Sequence, residues 1–408
     1  MIKPRTLSAV LRKAVKTFPA VVLTGPRQSG KTTLLKAIFS KTHGFVSLEN
    51  PDVRLRAKED PIGFLETYPP PVILDEIQYV PELLSYLKTK IDARRKPGQW
   101  LLTGSQNFVL MHGASQSLAG RAAVLSLLPF SLAERAGFGD RVLEPQAWVR
   151  KLKMPADLSV KFSLPEIILR GNYPEIAAKK KVDKQLWCGS YISTYLERDV
   201  RHLAQIGDLT QFENFLKICA SRTGQLFHFS DIAREVGVSV PTVRRWISIL
   251  ETGYQVLLVY PYFKNLGKRL VKAPKLYWMD TGLASYLLGI HDEKTLMSSP
   301  LLGGLFETMV VTDMHKRFLH AGRMPSLYCL RTQDGLEVDA MMDVGQKLHF
   351  FEIKSTMTIL PKHAAPIKKI ISALGAKAGD SYVVSRSKEN YSMGRGVSHV
   401  PWEAFSRM

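Results

Sequence analysis

Cysteine is scarce in this sequence, and the few thiols lie far apart. Only Cys188, Cys219 and Cys329 occur among the 408 residues, and they show no paired metal-ligand spacing. Zinc sites and disulfide frameworks depend on several suitably spaced cysteines, so we expect neither. The cysteine usage is typical of a protein that works in the reducing cytoplasm.

Long apolar runs are absent as well. A helix needs about 20 consecutive apolar residues to span a bilayer, and no stretch of the sequence approaches that length. No signal-peptide apolar stretch follows the first residues. We therefore expect a cytoplasmic protein without a membrane partner. Its length and its 45% hydrophobic residues suffice for two or three cores.

Acidic residues are outnumbered by basic ones. The sequence has 36 Asp and Glu against 56 Lys and Arg, a formal net charge of +20. The excess is spread over the whole chain and is densest between residues 215 and 275, which hold 10 basic and 3 acidic residues. A basic balance favours an anionic partner such as nucleic acid, but taken alone it also fits a protein that is merely soluble.

One motif near the start of the chain points to a specific chemistry. Gly25, Gly30, Lys31 and Thr32 are the fixed positions of a Gly-x-x-x-x-Gly-Lys-Thr run. An apolar, β-branched stretch precedes the run and a stretch with helical apolar spacing follows it. This pattern is typical of a phosphate-binding loop (Walker A) between a strand, predicted over 20–23, and a helix, predicted over 32–39.

The loop predicts a site for ATP and Mg²⁺. Glycines let backbone amides converge on a phosphate, and the amino terminus of the helix adds partial positive charge. Lys31 would reach the β- and γ-phosphates, and the Thr32 hydroxyl would ligate Mg²⁺. The candidate nucleotide-binding residues are Gly25, Pro26, Arg27, Gln28, Ser29, Gly30, Lys31, Thr32 and Thr33.

Two later strands are predicted to complete the site. The apolar run 71–74 ends in Asp75 and Glu76. At the end of a strand beside the loop, Asp75 would hold Mg²⁺ and Glu76 would polarise the attacking water. A third strand, predicted over 99–105, ends in Ser105, our first candidate for sensing the γ-phosphate, with Asn107 second.

Arg121 precedes a further apolar stretch and has two interpretations. It would act as an arginine finger for a neighbouring subunit, which implies a homo-oligomer, or it would pair with a surface acid. The sequence does not decide between them.

Several short motifs are distributed over nearly the whole chain. They are Leu-Thr-Gly-Ser (102–105), Leu-Ala-Gly-Arg (118–121), Leu-Pro-Phe-Ser (128–131), Gly-Asn-Tyr-Pro-Glu (171–175), Tyr-Leu-Glu-Arg-Asp-Val (195–200) and Asp-Thr-Gly-Leu (280–283). These motifs resemble the core motifs and carboxyl-terminal signature of AAA+-like ATPases of bacteria and archaea that carry a conserved uncharacterised carboxyl-terminal domain. The resemblance implies ATP binding and, as an expectation, hydrolysis, but no biological role.

The dense basic segment predicts a winged helix-turn-helix. Thr242, Arg244 and Arg245 would face a DNA groove, and Lys268 and Arg269 would contact DNA from a basic loop. The alternative is a winged helix that contacts protein or serves only for packing. The pattern predicts helices over 212–223, 231–236 and 242–251, then β-rich runs over 254–263 and 270–278 joined by the loop 264–269.

The last hundred residues predict a second α/β domain. Its order of helix, three strands, helix and strand resembles the core of PD-(D/E)XK nucleases. On that order Asp339, Glu352 and Lys354 form an Asp…Glu-x-Lys pattern, with Glu307 as an added ligand. The carboxylates would bind Mg²⁺ and Lys354 would orient the attacking water. Alternatively, basic side chains such as Lys354 or Arg331 neutralise the acids, and the fold serves binding or assembly.

A predicted helix over 191–203 carries charges on an otherwise apolar sequence. Glu197, Arg198, Asp199 and Arg201 would form ion pairs, or one of the two arginines would reach a bound nucleotide.

Together these observations predict an α/β protein in three parts. Residues 1–150 would form a parallel-sheet AAA+-like ATPase core, 160–295 a helical segment with the winged helix-turn-helix, and 296–408 a restriction-endonuclease-like domain. The expected function is an ATPase that couples its nucleotide state to nucleic-acid binding. Two alternatives are an ATP-dependent nuclease acting on DNA and a nucleotide-switched scaffold for a protein partner, with no nucleic acid.

Overall fold

The computed structural model describes residues 3–105, 118–153, 162–195, 209–262, 273–332 and 335–407. The chain forms two compact units. Unit 1 comprises Met1–Pro129, Thr252–Tyr254 and Leu319–Arg323. Unit 2 comprises Phe130–Glu251, Gln255–Phe318 and Met324–Met408. The three-part division expected from the sequence stays a prediction.

Unit 1 contains a five-stranded parallel sheet. Its strands are β1 (Ala20–Thr24), β2 (Gly44–Ser47), β3 (Val72–Asp75), β4 (Trp100–Thr103) and β5 (Ala122–Ser126), in the order β2-β3-β4-β1-β5. Its helices are α1 (Leu7–Thr17), α2 (Lys31–Phe39), α3 (Pro51–Glu59), α4 (Pro61–Thr67) and α5 (Leu83–Ala93), with a 3₁₀ turn at Ile77–Tyr79.

Both faces of this sheet are covered. Alternate residues of each strand point to opposite faces. Val21 and Leu101 pack with apolar residues of α1 and α2. Val22 and Leu102 pack with α3, α4 and α5. The near-continuous apolar strands follow from this double cover, and the carboxyl ends of all five strands meet at one edge of the sheet.

The strand order gives β4 a central place in the sheet. The sequence predicts that the strand ending in Asp75 lies beside the phosphate loop, and it does not predict where the third strand inserts. In the sheet, β4 lies between β1 and β3 and pairs with both. The end of β4 therefore stands between the loop and the acid pair, which gives its last residue a central position.

Unit 2 is formed by the helices that follow. They are α6 (Leu132–Ala136), α7 (Pro145–Lys151), α8 (Leu164–Arg170), α9 (Pro174–Ala178), α10 (Lys184–Tyr195), α11 (Leu209–Ser221), α12 (Phe229–Val236), α13 (Val240–Thr252), α14 (Thr281–Leu287), α15 (Glu293–Ser298), α16 (Leu302–His320) and α17 (Ala365–Leu374). The last residues of α13 and α16 are grouped with unit 1. Short 3₁₀ helices occur at Pro361–Ala364, Gly375–Lys377 and Trp402–Arg407.

Two sheets belong to unit 2. A three-stranded antiparallel sheet, in the order β6-β8-β7, follows α11 to α13. A mixed six-stranded sheet has the order β13-β14-β12-β11-β10-β9. The strands are β6 (Gln225–Leu226), β7 (Val256–Val259), β8 (Lys275–Trp278), β9 (Leu327–Arg331), β10 (Glu337–Val344), β11 (Lys347–Lys354), β12 (Ser381–Ser385), β13 (Tyr391–Gly394) and β14 (Val397–Pro401).

The larger sheet is also covered on both faces. Ile367 of α17 packs with Phe350 and Val383 on one face. Phe351 and Tyr382 pack with residues of α7 and α16 on the other face. The expected order of helix, three strands, helix and strand is present, with β13 and β14 added after it.

Two of the motifs that carry the family resemblance contact each other within unit 2. The backbone N–H of Asn172 donates to Asp280 Oδ2 at 2.7 Å, and that of Gly282 donates to Asp280 Oδ1 at 3.0 Å. Gly171 has φ 68°, and a Cβ placed there would lie 2.0 Å from Asp280 Oδ1. Because that distance is far inside van der Waals contact, this packing requires glycine at 171.

The three cysteines all lie in the described residues, and each is free and buried. Burial raises the pKa of the Cys329 thiol to about 11, so this thiol stays protonated at neutral pH. No helix within the described ranges has the length and apolar character that crossing a membrane requires.

Candidate nucleotide site and carboxylate–lysine cluster

The loop between β1 and α2 adopts the sharp backbone turns that glycine permits. Gly25 has φ 143° and Gly30 has φ 93°. A Cβ at Gly25 would lie 2.1 Å from the carbonyl oxygen of Leu127, so no side chain fits there. Gln28 also has a positive φ of 59°, at an exposed position. The loop is thus shaped by close backbone approach, as the sequence pattern predicts.

Lys31 places a cation inside this loop. Its side chain is buried, and Nζ donates to the carbonyl oxygens of Gly25 and Pro26, both at 2.9 Å. The hydroxyl of Ser29 is buried beside it and has no hydrogen-bond partner among the described residues. An ammonium together with an unsatisfied hydroxyl suits a phosphate group, so the residues present fit the predicted ligand.

Arg5 anchors the same loop from α1's amino-terminal side. It donates to the carbonyl oxygen of Ser29 at 2.9 Å and to that of Leu128 at 2.5 Å. Sequence reasoning missed this role, since nothing in the surrounding residues distinguishes Arg5 from a surface arginine. Beyond the loop, Thr33 and Lys36 of α2 line a crevice of about 740 Å³.

Asp75 connects the loop to the ends of two strands. Its Oδ1 accepts hydrogen bonds from Thr32 Oγ1 and Thr103 Oγ1, both at 2.7 Å. Its Oδ2 accepts a longer bond from Ser47 Oγ at 3.4 Å. The hydroxyl of Thr32 and the carboxylate of Asp75 are adjacent oxygen donors, the ligand type that Mg²⁺ prefers. The pair predicted to hold the ion is therefore brought together.

Glu76 is held in a fixed position beside Asp75. Its backbone has φ 57°, and its N–H donates to Thr103 Oγ1 at 3.0 Å. Its carboxylate accepts from Gln78 Nε2 and, at 3.4 Å, from Ser105 Oγ. Gln78 also donates to Ser105 Oγ at 3.2 Å. Ser105, predicted to sense the γ-phosphate, thus lies in contact with the candidate base.

Arg121 lies at the opposite edge of the sheet from the loop. Its carbonyl oxygen accepts from Ala20 N at the start of β1, whereas the loop follows the end of β1. Five residues of strand separate the two edges by roughly 16 Å. Arg121 donates to both carboxylate oxygens of Asp92, at 2.6 and 2.8 Å. This position rules out a finger acting on the nucleotide of its own chain, and a role in a neighbouring subunit stays a prediction.

A tyrosine from a distant part of the sequence contacts the end of β1. The hydroxyl of Tyr254 lies 2.9 Å from Thr24 Oγ1 and 3.0 Å from Ser126 Oγ. Thr24 immediately precedes Gly25. Burial raises the pKa of Tyr254, which keeps its hydroxyl protonated and able to donate. This contact within unit 1 had no signal in the sequence.

In unit 2, a buried lysine brings together acids from a helix and a strand. Lys275 of β8 has 4% of its side chain exposed. Its Nζ lies 3.1 Å from Glu307 Oε1, 3.0 Å from Glu337 Oε1 and 3.1 Å from Asp339 Oδ1. An ammonium has three N–H donors, and here each has one carboxylate acceptor. Tyr277 donates to Glu307 Oε1 at 2.7 Å.

Lys354 supplies a second positive charge to these acids. Its Nζ lies 3.3 Å from Asp339 Oδ2 and 2.6 Å from Glu352 Oε1. The backbone N–H of Ile353 donates to Asp339 Oδ2 at 2.8 Å. Glu307, Asp339, Glu352 and Lys354, which the sequence placed in one candidate site, therefore lie together. We call these four, with Glu337 and Lys275, the carboxylate–lysine cluster.

The cluster shifts the acidity of its members in different directions. Burial, assisted by the negative charge of Asp339, raises the pKa of Glu307 and of Glu352 to about 7. Burial acts in the same sense on Asp339, but Lys275 and Lys354 outweigh it, and the pKa of Asp339 is lowered. Burial would lower the pKa of Lys275, yet the surrounding hydroxyl and acids raise it well above the ordinary value.

This arrangement does not fit a divalent cation. The ammonium of Lys275 occupies the space among three carboxylates, where an ion bound to them would have to lie. No group of three or more metal-ligating side chains able to hold a metal is found in the residues that the structure describes. The expectation of Mg²⁺ bound by these carboxylates is thus not supported, because lysines supply the positive charge instead. Arg331, the expected partner, forms an ion pair with Glu337 at 3.4 Å.

The residues expected to contact DNA lie on α13. Arg244 and Arg245 are exposed and Thr242 is half-buried, while Val243 and Trp246 of the same helix are buried. The Arg244 guanidinium lies 4.3 Å from the centre of the Phe229 ring. The expectations for Asn107, Glu197, Arg198, Asp199, Arg201, Lys268 and Arg269 lie outside the described residues.

Two residues that sequence reasoning missed are central to these sites. Thr103 belongs to the Leu-Thr-Gly-Ser motif, of which only the last residue, Ser105, was taken as a candidate. Treating both hydroxyl residues of the motif as candidates would have identified Thr103. For Lys275 the sequence contains one indication, a single charged residue within an otherwise apolar strand. A lysine in such a strand must find acids when it is buried.

Family comparisons cover the chain in three successive parts. Residues 17–136 match a family described as "AAA domain". Residues 161–294 match "Domain of unknown function (DUF8612)", and residues 302–405 match "Domain of unknown function (DUF4143)". The ATPase-like part of the resemblance is thereby confirmed, and the nuclease-like part is not.

Two relatives occur in mycobacteria. The chain is 33% identical over 361 residues to the uncharacterized protein Rv2008c of Mycobacterium tuberculosis, a match that covers 88% of this chain and 75% of the relative. The same values hold for the uncharacterized protein Mb2031c of Mycobacterium bovis.

Among solved structures the likeness is weaker. The Walker-type ATPase PABY2304 of Pyrococcus abyssi is 14% identical, with a TM-score of 0.44 over 70% of this chain and 99% of that one. RuvB of Thermotoga maritima is 18% identical, with a TM-score of 0.30 over 62% of this chain and 86% of that one. Sequence identities and TM-scores as low as these do not support an inference about function.

The raised pKa of Glu307 predicts a pH dependence of stability. A carboxyl whose pKa rises on folding stabilises the protein below its ordinary value of 4.5, and that contribution is lost as pH rises through about 7. We therefore expect the stability of wild type relative to Glu307→Gln to fall between pH 5 and pH 8, by up to about 3 kcal/mol.

Urea unfolding followed by tryptophan fluorescence measures this, because five of the six tryptophans lie in unit 2. The exposed Glu293→Gln serves as the control for loss of one carboxylate. A pH-independent difference between wild type and Glu307→Gln would contradict the assignment.

Proposed function

We propose a function that proceeds from one fact: the chain belongs to the same family as its two mycobacterial relatives, to which it is 33% identical over 88% of its length. Its unit 1 has an AAA-type, ATPase-like P-loop core. The proposal is that the chain binds and hydrolyses ATP and couples its nucleotide state to nucleic-acid binding by unit 2. The hydrogen bonds from Thr32 and Thr103 to Asp75 are the observation that carries the first part.

In this proposal each residue of the loop edge has one task. Lys31 would place its ammonium on the β- and γ-phosphates, and Thr32 with Asp75 would hold Mg²⁺. Bound Mg²⁺ supplies neutralisation of phosphate charge. Glu76 would take the proton of the attacking water. Ser105 would orient the Glu76 carboxylate, which it already contacts.

Nucleic-acid binding is proposed for α13 and the elements around it. The order of helix, short strand, two helices and two strands is typical of a winged helix-turn-helix. Arg244 and Arg245 supply exposed positive charge on a helix whose other face is buried. The basic excess of the surrounding sequence supports an anionic partner rather than a protein scaffold.

Cleavage of DNA is the second candidate, and one observation favours it. Glu352 Oε2 is buried and has no hydrogen-bond partner in the described part of the chain, as an oxygen awaiting a ligand would be. The ammonium of Lys275 weighs against it. We infer that the carboxylate–lysine cluster is neutralised internally and does not cleave.

The first test separates ATP binding from hydrolysis. Lys31→Ala should abolish measurable ATP binding, because it removes the ammonium inside the loop. Glu76→Gln should retain ATP binding and slow hydrolysis roughly 10²- to 10⁴-fold, since only proton acceptance is lost. Lys58→Ala and Glu82→Gln, exposed changes of equal charge, should leave both unchanged. Hydrolysis by Glu76→Gln at the wild-type rate would remove Glu76 from its role.

The second test measures nucleic-acid binding across a salt series. Filter binding of duplex DNA should show affinity that falls steeply with log salt, because phosphate contacts release counterions. Arg244→Ala and Arg245→Ala should each reduce the slope by about 1. Lys294→Ala, an exposed change on α15, is the matched control. Absence of binding at every salt concentration would favour the protein scaffold.

The third test addresses cleavage through metal binding. Thermal unfolding without nucleotide should show no stabilisation by millimolar Mn²⁺ if lysines neutralise the carboxylate–lysine cluster. Asp75→Asn controls for ion binding at the loop, and Asp339→Asn for binding at the cluster. If Mn²⁺ stabilises wild type and Asp75→Asn but not Asp339→Asn, the cluster binds metal. DNA nicking that also requires Lys354 would then establish the nuclease.

A further inference from the structure

Unit 2 contains a pocket at the amino-terminal end of β11. Its volume is about 330 Å³, at the lower end of the range for small-ligand sites. Arg150 of α7, Lys347 of β11 and Arg395 of the turn between β13 and β14 line it, so three separate elements contribute a cation. His349 and Asp380 also line it.

The positive charge of this pocket is not neutralised by acids of the described residues. Lys347 Nζ donates to the carbonyl oxygen of Ala376, and Arg395 donates to Ser372 Oγ at 3.1 Å, both uncharged acceptors. Arg150 has no carboxylate partner in the described ranges. The pocket's own acid, Asp380, forms an ion pair with Lys153. Three cations and one acid thus line the cavity, and because the acid is already paired with Lys153, the excess positive charge favours binding of an anion.

One residue of the lining, His349, is buried and uncharged. Its Nδ1 lies 2.8 Å from the carbonyl oxygen of Asp380. Burial lowers the pKa of His349 and outweighs the opposite effect of Asp380, so the ring is neutral at pH 7. A Cβ at Gly379 would lie 2.4 Å from the imidazole ring of His349, so only glycine allows the backbone to approach the ring this closely.

We propose that this pocket binds a small phosphate-bearing anion. Two guanidinium groups and one ammonium match the charge of a phosphate ester or pyrophosphate better than that of a single carboxylate. The phosphate would belong either to a free small molecule or to the terminal phosphate of a nucleic acid. Recognition of the phosphate by Arg150, Lys347 and Arg395 is common to both sources.

This site is separate from the carboxylate–lysine cluster. Lys347 begins β11 and Lys354 ends it, so the two sites lie at opposite ends of one strand. At about 3.3 Å per residue the separation is roughly 23 Å. The inference also stands apart from ATP binding, since no residue of unit 1 takes part.

The test uses the full chain carrying Lys31→Ala, which removes phosphate binding at the loop. Calorimetric titration with pyrophosphate should show one binding site in this background. Adding Arg150→Gln or Arg395→Gln should weaken it roughly tenfold or more, because each removes a charge-assisted hydrogen-bond donor. Arg234→Gln, an exposed change of equal charge on α12, should leave the affinity unchanged.

Two further titrations distinguish the sources of the phosphate. A short single-stranded oligonucleotide with a 5′-phosphate that binds more tightly than pyrophosphate, and more tightly than its unphosphorylated form, assigns the pocket to nucleic-acid ends. Tighter binding of pyrophosphate assigns it to a free small molecule. The proposal is overturned if the Lys31→Ala chain binds no pyrophosphate, or if Arg150→Gln and Arg395→Gln bind it as well as Arg234→Gln does. Circular dichroism of each variant verifies that it is folded.

Discussion

One carboxylate oxygen determines the geometry of the nucleotide-binding edge. Asp75 Oδ1 accepts from Thr32, which lies in the first turn of α2, and from Thr103, the last residue of β4. Asp75 itself ends β3, so a single acceptor joins the loop to two strand ends. Loss of that acceptor would leave two hydroxyls without their partner in a largely buried region, a costly change. The positions of Glu76 and Ser105 follow from this junction, because both come within two residues of it in sequence.

Local chemistry made much of unit 1 predictable. The glycines, Lys31 and Thr32 are adjacent in sequence, and the physical demand on them is also local. The strand order was not readable in the same way, since the insertion of β4 between β1 and β3 depends on pairings between residues 80 and 28 positions apart. Thr103 was overlooked for this reason: its importance comes from being between the loop and the acids.

The same limit applies more strongly to unit 2. Strand alternation placed Asp339, Glu352 and Lys354 on neighbouring strands, and the structure brings them together. Lys275 comes from a different sheet and is 64 residues from Asp339, so no pattern in the sequence linked them. Burial then decides the chemistry. Acids that cannot be solvated need a cation, and a lysine of the chain itself is present.

The two ends of β11 therefore present opposite electrostatic situations. At its carboxyl end Lys275 and Lys354 lie against carboxylates, so the opposite charges pair within the cluster. At its amino end three cations line a cavity in which Asp380 is already paired. A site whose charges are satisfied internally has little to gain from a ligand, while the other has an electrostatic reason to bind one.

The contact between Gly171 and Asp280 bears on how relatives of this chain are recognised. Both residues belong to motifs that identify the carboxyl-terminal half, yet neither lies in the nucleotide site, the carboxylate–lysine cluster or the phosphate pocket. Their side chains and backbone fit because α14 and the turn after α8 approach closely. Proteins identified by these motifs will share a scaffold but can differ in the reaction they catalyse. Predicting their function therefore requires residues outside the motifs.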